Sequence, residues 1–161
     1  MEQETYKELQ RLNAMTPDNE ADQQQNDWLR STLMRYMDMY KNDDRVNLTR
    51  FNYTNFGGIV FYYHYESNGS THNVEFLRLI CSRAPYTGEL SYEMNYYKTF
   101  TIGGWNHYVE SSQAIKMDYN EDKIPHLVKT AIGRIEKVRK KEKIRKKRYA
   151  IRNICKEHVD D

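Results

Sequence analysis

Apolar residues recur along this chain with two different periods, and the changes of period divide it into three parts. Leu29, Leu33, Tyr36, Met37 and Tyr40 fall at i, i+4, i+7, i+8 and i+11, which is one face of an α-helix. Thr16-Pro17-Asp18 supplies its start: Thr is a good N-cap, Pro suits the first helical position, and Asp18 and Glu20 sit near the positive end of the helix dipole. Asn42-Asp43-Asp44 ends it after about Lys41. Ahead of it, residues 3–13 suit a short polar helix or arm with Leu9 and Leu12 as aliphatic anchors.

In the middle third the period drops to two. Residues 59–65 (IVFYYHY) and 74–80 (VEFLRLI) are β-branched and aromatic, and Ser67-Asn68-Gly69-Ser70 lies between them. Asn-Gly between two such runs predicts a hairpin, because both residues tolerate the positive φ of a tight turn. A preceding strand around 46–56 is expected to end at Gly57-Gly58, read as turn glycines. Pro85 to Gly88 makes a loop, Leu90–Ile102 a long Tyr-rich strand, and Gly103-Gly104 a second turn. Trp105–Val109 and Ala114–Tyr119 add one or two strands more. Sequential strands of this kind form an antiparallel meander.

After Asn120-Glu121-Asp122 the helical period returns. Ile124, Leu127, Val128, Ala131, Ile132, Ile135 and Val138 form the cleanest amphipathic stripe in the chain. It is expected to lie across the sheet. Beyond Val138 the stripe thins to Ile144, Ile151, Ile154 and Cys155, while Lys and Arg take over. The prediction is a single α+β domain over 1–161. It has an N-terminal helix or helical pair (arm 1–15), a four- to five-stranded antiparallel sheet within 16–119, and a C-terminal helix over 120–158 that turns basic from about 139.

Charge alters this picture at one place. From Arg134 to Arg152 there are eleven Lys/Arg against Glu136 and Glu142. Residues 134–161 carry a balance of +7 and residues 1–133 one of −5, so the net +2 of the whole chain conceals a polar body with a cationic tail. Complementing a helix dipole takes one or two cations in the last turn, not eleven over nineteen residues. Such a run suits contact with a polyanion. The residues expected to make it are Arg139, Lys140, Lys141, Lys143, Arg145, Lys146, Lys147 and Arg148.

Fourteen Tyr argue against a disordered chain and raise a second possibility, aromatic anchors. Tyr62, His64 and the Tyr92/Tyr96/Tyr97 group could stack bases from an open sheet face, and Trp105 and Tyr108 could anchor a protein partner. Tyr is also an ordinary strand residue, so core packing and cross-strand pairing compete with both roles. Tyr62, Tyr96, Trp105 and Tyr108 are retained as anchor candidates. The sequence motifs of an RRM are absent.

No grouping predicts catalysis. His64, His72, His107, His126 and His158 are scattered without metal-ligand spacing, so neither metal nor cofactor is expected. Glu75 and Glu93 fall on predicted strands, but neither is followed by the x-Lys of a metal-dependent nuclease. Glu121-Asp122-Lys123 has that spacing at a helix start, where acids are ordinary. Cys81 and Cys155 lie far apart, no apolar run reaches membrane-spanning length, and the first residues have no signal-peptide character. A cytoplasmic protein is expected, and three Asn-x-Ser/Thr sequons are read as chance.

In general character the chain resembles small inhibitor proteins of phages and mobile elements, the anti-CRISPR proteins among them. What carries the resemblance is short length, a Tyr-, Asn- and Lys-rich composition, and a sheet followed by Asp122-Lys123-Ile124 and Ile135-Glu136-Lys137 running into a Lys-rich helix. It implies a non-enzymatic protein in the host cytoplasm that binds an effector nuclease or its guide complex, and it transfers no functional residue. From residues and resemblance together, the expected function is a non-catalytic protein that occludes or clamps a nucleic acid or a nucleoprotein such as an RNA-guided nuclease. A nucleic-acid-binding accessory protein, a structural assembly protein and a metal-dependent nuclease remain open.

Overall fold

The computed structural model describes residues 20–53 and 55–159, together with Lys7. Helix α1 (Glu20–Tyr40) leads into strands β1 (Val46–Asn52), β2 (Phe56–Ser67), β3 (Ser70–Arg83), β4 (Leu90–Ile102) and β5 (Val109–Asp118). A 3-10 turn (Glu121–Lys123) then opens helix α2 (Ile124–Val159). All neighbouring strands are antiparallel and follow sequence order, β1-β2-β3-β4-β5. This is the expected α+β architecture. The Thr16-Pro17 helix start and the 3–13 segment lie outside the described residues.

Local chemistry explains most of the boundaries. Asn68 and Gly69 take φ values of 54° and 78°, as a type I′ turn requires, and close the β2–β3 hairpin at Ser67 and Ser70. The Asn120 side chain accepts the Asp122 N–H and caps the turn into α2.

Two expectations need correction. Gly57 and Gly58 lie inside β2, and β1 has already ended at Asn52, with the Tyr53 N–H donating to the Phe56 carbonyl at 2.8 Å. Gly58 is there for close approach: a Cβ at this position would run into the Leu79 backbone carbonyl of β3 and stand 2.8 Å from Phe51 Cζ. Trp105–Val109 is likewise not a strand. Residues 103–108 form a turn in which the Gly103 N–H donates to the Tyr108 carbonyl at 2.7 Å and the His107 N–H donates to the Gly103 carbonyl at 3.2 Å, with His107 at a φ of 60°.

Both helices cover one sheet face. Leu29, Leu33, Tyr36 and Met37 of α1 and Ile124, Val128, Ala131, Ile132 and Ile135 of α2 share a core with Leu48, Ile59, Phe61, Val74, Phe76, Leu77, Leu79 and Met94. Each fully buried aliphatic or aromatic side chain of this set contributes about 1.5–3 kcal/mol. Rings interlock the layers, with Tyr36 edge-on to Phe61 at 5.5 Å and Trp28 against Tyr92 at 5.2 Å. A register shift at Phe61/Tyr62 leaves Phe76 unpaired in β3, so Phe76 and the adjacent Leu77 are both buried. Beyond the same shift, Glu75 and Arg78 meet in an ion pair. Arg35–Glu121 (2.6 Å) and Arg45–Glu136 (2.9 Å) tie the N-terminal half of the layer to the turn before α2 and to α2 itself.

Candidate nucleic-acid interface

The period that buries α2 stops before the helix does. Its last fully buried residue is Ile135, Val138 and Arg139 are half-buried, and every position from Lys143 to Cys155 is exposed. At 1.5 Å per residue the helix is about 54 Å long, and residues 140–159 extend about 30 Å past the core. The basic run is therefore a projecting rod, exposed along most of its surface and flanked on one side by the turn between β4 and β5.

Seven of the eight expected contact residues lie on it. Arg145 bonds Glu142 at 2.9 Å, one turn away. Lys140, Lys141, Lys143, Lys146, Lys147 and Arg148 make no ion pair among the described residues. Arg139 is different. Its Nη1 donates to Tyr63 Oη at 2.7 Å, and its guanidinium lies 4.3 Å from the centroid of the Tyr65 ring. A guanidinium fixed by a charged hydrogen bond and a ring face anchors α2 to β2 and is not available to a partner.

The apolar residues beyond Val138 do not continue the core stripe. Ile144 follows Ile135 by nine residues, two and a half turns, and so points the opposite way. Ile151, Ile154 and Cys155 share its side, and all four are exposed. The residues that extend the stripe's own face are Glu142, Lys146 and Tyr149, at +7, +11 and +14 from Ile135.

That face meets the turn between β4 and β5. His107 and, from α2, Glu142, Arg145, Lys146 and Tyr149 line a cleft of about 530 Å³. The turn is stiffened by its own bonds, Asn106 Nδ2 to Glu110 at 3.2 Å and the Tyr108 N–H to Asn106 Oδ1 at 3.1 Å. It is also tied to the sheet. Tyr108 stacks on His72 at 3.9 Å, His72 on Tyr65 at 4.9 Å, and Tyr65 carries Arg139. The Val109 N–H closes the array by donating to Tyr65 Oη at 3.2 Å.

Of the four aromatic anchor candidates, Trp105 and Tyr108 lie on the turn whose His107 lines the cleft with α2, and two lie elsewhere. Trp105 is 97% exposed at the tip of the turn. Tyr96 packs against the core under the helices. Tyr62 faces away from them, beside Glu75 and Arg78, with burial raising its hydroxyl pKa. The stacking platform of Tyr62, His64, Tyr92, Tyr96 and Tyr97 is not assembled. Tyr92 lies against Trp28 on the helix side, whereas Tyr62 and Tyr97 share the other face. Sequence reasoning missed Tyr149 and His107. The +14 spacing of Tyr149 from Ile135 was the available signal; nothing local marks His107.

A second cleft, of about 620 Å³, opens between the α1–β1 loop, β2 and α2. Three of its charges satisfy one another: Arg45 holds Asp43 at 3.0 Å and Glu136 at 2.9 Å, and the Arg45 hydrogen bond keeps the Asp43 carboxyl below its ordinary range. Among the described residues no three His, Cys, Asp or Glu side chains gather where they could hold a metal ion. Burial pushes the Cys81 thiol up to about 11, while Cys155 is exposed. No described helix is long and apolar enough to cross a membrane. No protein family, curated protein or solved structure matches the chain.

Proposed function

We propose that this chain is a non-catalytic binding protein whose projecting α2 extension engages the phosphate backbone of a nucleic acid, bare or within a nucleoprotein, and covers it. The observation that carries this reading is the exposure of every position from Lys143 to Cys155 on a helix whose Lys side chains have no acidic partner among the described residues. Unneutralised cations along a stiff rod form a polyelectrolyte contact, and release of condensed counterions drives such binding. A rod of about 30 Å spans roughly nine base-pair steps of duplex, enough to occlude a second protein from the same stretch. Inhibition of an RNA-guided nuclease, as the likeness to anti-CRISPR proteins implies, would be one use of that occlusion. An acidic body behind a basic rod also orients the encounter, since the body is repelled by the polyanion the rod attracts.

Fluorescence anisotropy with labelled 20-mers, single- and double-stranded, tests the reading. The triple substitution Lys143→Glu, Lys146→Glu, Lys147→Glu is expected to weaken binding at least about tenfold. Lys116→Glu, on the exposed side of β5, is expected to leave it unchanged. Equal affinity for wild type and triple variant would overturn the proposal.

A further inference from the structure

The cleft between the β4–β5 turn and α2 carries more than charge. It presents one aromatic ring from each wall, His107 from the turn and Tyr149 from the helix, with Arg145 and Lys146 at the same opening. Glu142 also lines it, but its carboxylate is already bonded to Arg145 at 2.9 Å and holds that guanidinium in place. Trp105, two residues before His107, projects into solvent from a turn fixed by four hydrogen bonds of its own. His107 keeps a φ of 60°, a conformation a non-glycine residue holds only where its surroundings impose it.

Aromatic faces on a stiff support beside cations are what an unpaired base and its phosphate require. The base stacks on the ring and the phosphate meets the cation. A paired base inside duplex is already stacked and cannot enter. We infer that this cleft receives an unpaired base of a single strand, held between His107 and Tyr149. Arg145 and Lys146 take the adjoining phosphates, and Trp105 stacks a neighbouring base. This inference rests on the proposed nucleic-acid reading and adds to it a preference for single strands.

The probes are dT20, rU20 and a 20-base-pair duplex, titrated into the full chain at one fixed salt concentration. Anisotropy and intrinsic tryptophan emission are read together. Trp28 packs against Tyr92 and Tyr119, so quenching on stacking is expected from Trp105, and Trp105→Phe should remove the quench while retaining binding. Both single strands should quench and should bind about fivefold or more tighter than duplex. Tyr149→Ala and Trp105→Ala should each weaken single-strand binding by about tenfold and leave duplex binding and its salt slope as they were. Both residues are exposed, so neither change threatens the fold. Quenching by only one of dT20 and rU20 would support the cleft and identify the sugar it takes. Equal binding of single strand and duplex, unmoved by either Ala variant, would overturn the cleft and leave the cationic-rod reading standing. No binding to any probe at low salt would overturn both.

Discussion

Arg139 and Lys146 look alike in the sequence, two cations of one basic run, yet they do different work. Arg139 holds α2 to the sheet through Tyr63 and Tyr65, whereas Lys146 is exposed beside the cleft. Arg139→Gln removes a charged hydrogen bond and a cation–π contact, which should cost about 1–3 kcal/mol. At roughly 2–4 °C per kcal/mol for a chain of this size, thermal denaturation should show the loss, with nucleic-acid affinity changing little. Lys146→Gln should do the reverse. Asp43 makes the pH-dependent contribution: Arg45 depresses its folded-state pKa, so the contribution is complete above the ordinary value near 4 and is lost as pH falls through the depressed one. Asp43→Asn should therefore lower Tm at pH 7 by a few degrees, about 2–4 °C, with the gap to wild type closing below about pH 4. The seven outward cations were legible from composition alone. The anchoring role of Arg139 was not, because Tyr63 and Tyr65 are more than seventy residues away in sequence and nothing local announces them.

At the scale of elements, hydrophobic period revealed most of the fold. The α1 and α2 stripes that the spacing marked are the buried faces, and Asn68-Gly69 turns where its φ preference says it should. The errors came from residues whose reason is tertiary. Gly58 reads as punctuation, but it lies in mid-strand because the Leu79 carbonyl and the Phe51 ring leave no room for a Cβ. Trp105 reads as a strand residue but stands on a turn stapled by Asn106 and Glu110. Ile144 reads as a continuation of the core stripe and points half a turn away from it. Helix α2 thus has two halves with separate duties, and the division falls after Glu142 and not after Val138, since Arg139 still binds β2 and only 11% of the Glu142 side chain is exposed. A chain ending at Glu142 should fold with a Tm close to wild type and lose nucleic-acid binding. Ile132→Asp, in the buried half, should instead cost several kcal/mol, about 3–5, as an unpaired charge in the core does. Circular dichroism melts of the two variants distinguish them. A truncated chain that fails to fold would place the structural half further along the helix.

The whole molecule is a two-layer body with a balance of −5 up to residue 133 and a +7 segment that leaves it as a rod. Phosphate contacts made by mobile Lys point charges carry affinity and little sequence information, so on the proposed reading the rod would set how tightly and how fast the protein binds, and the cleft beside it what form of strand it prefers. The central claim is that the rod is the working surface, and it is tested most directly by the salt dependence of binding. For the wild type, log K should fall linearly with log[salt], by about 0.7 to 0.9 for each phosphate neutralised. Replacing Lys140, Lys141, Lys146 and Lys147 by Gln should flatten that slope by about three units without changing the preferred strand form. A slope that is the same in both proteins, or affinity that ignores salt, would contradict the claim.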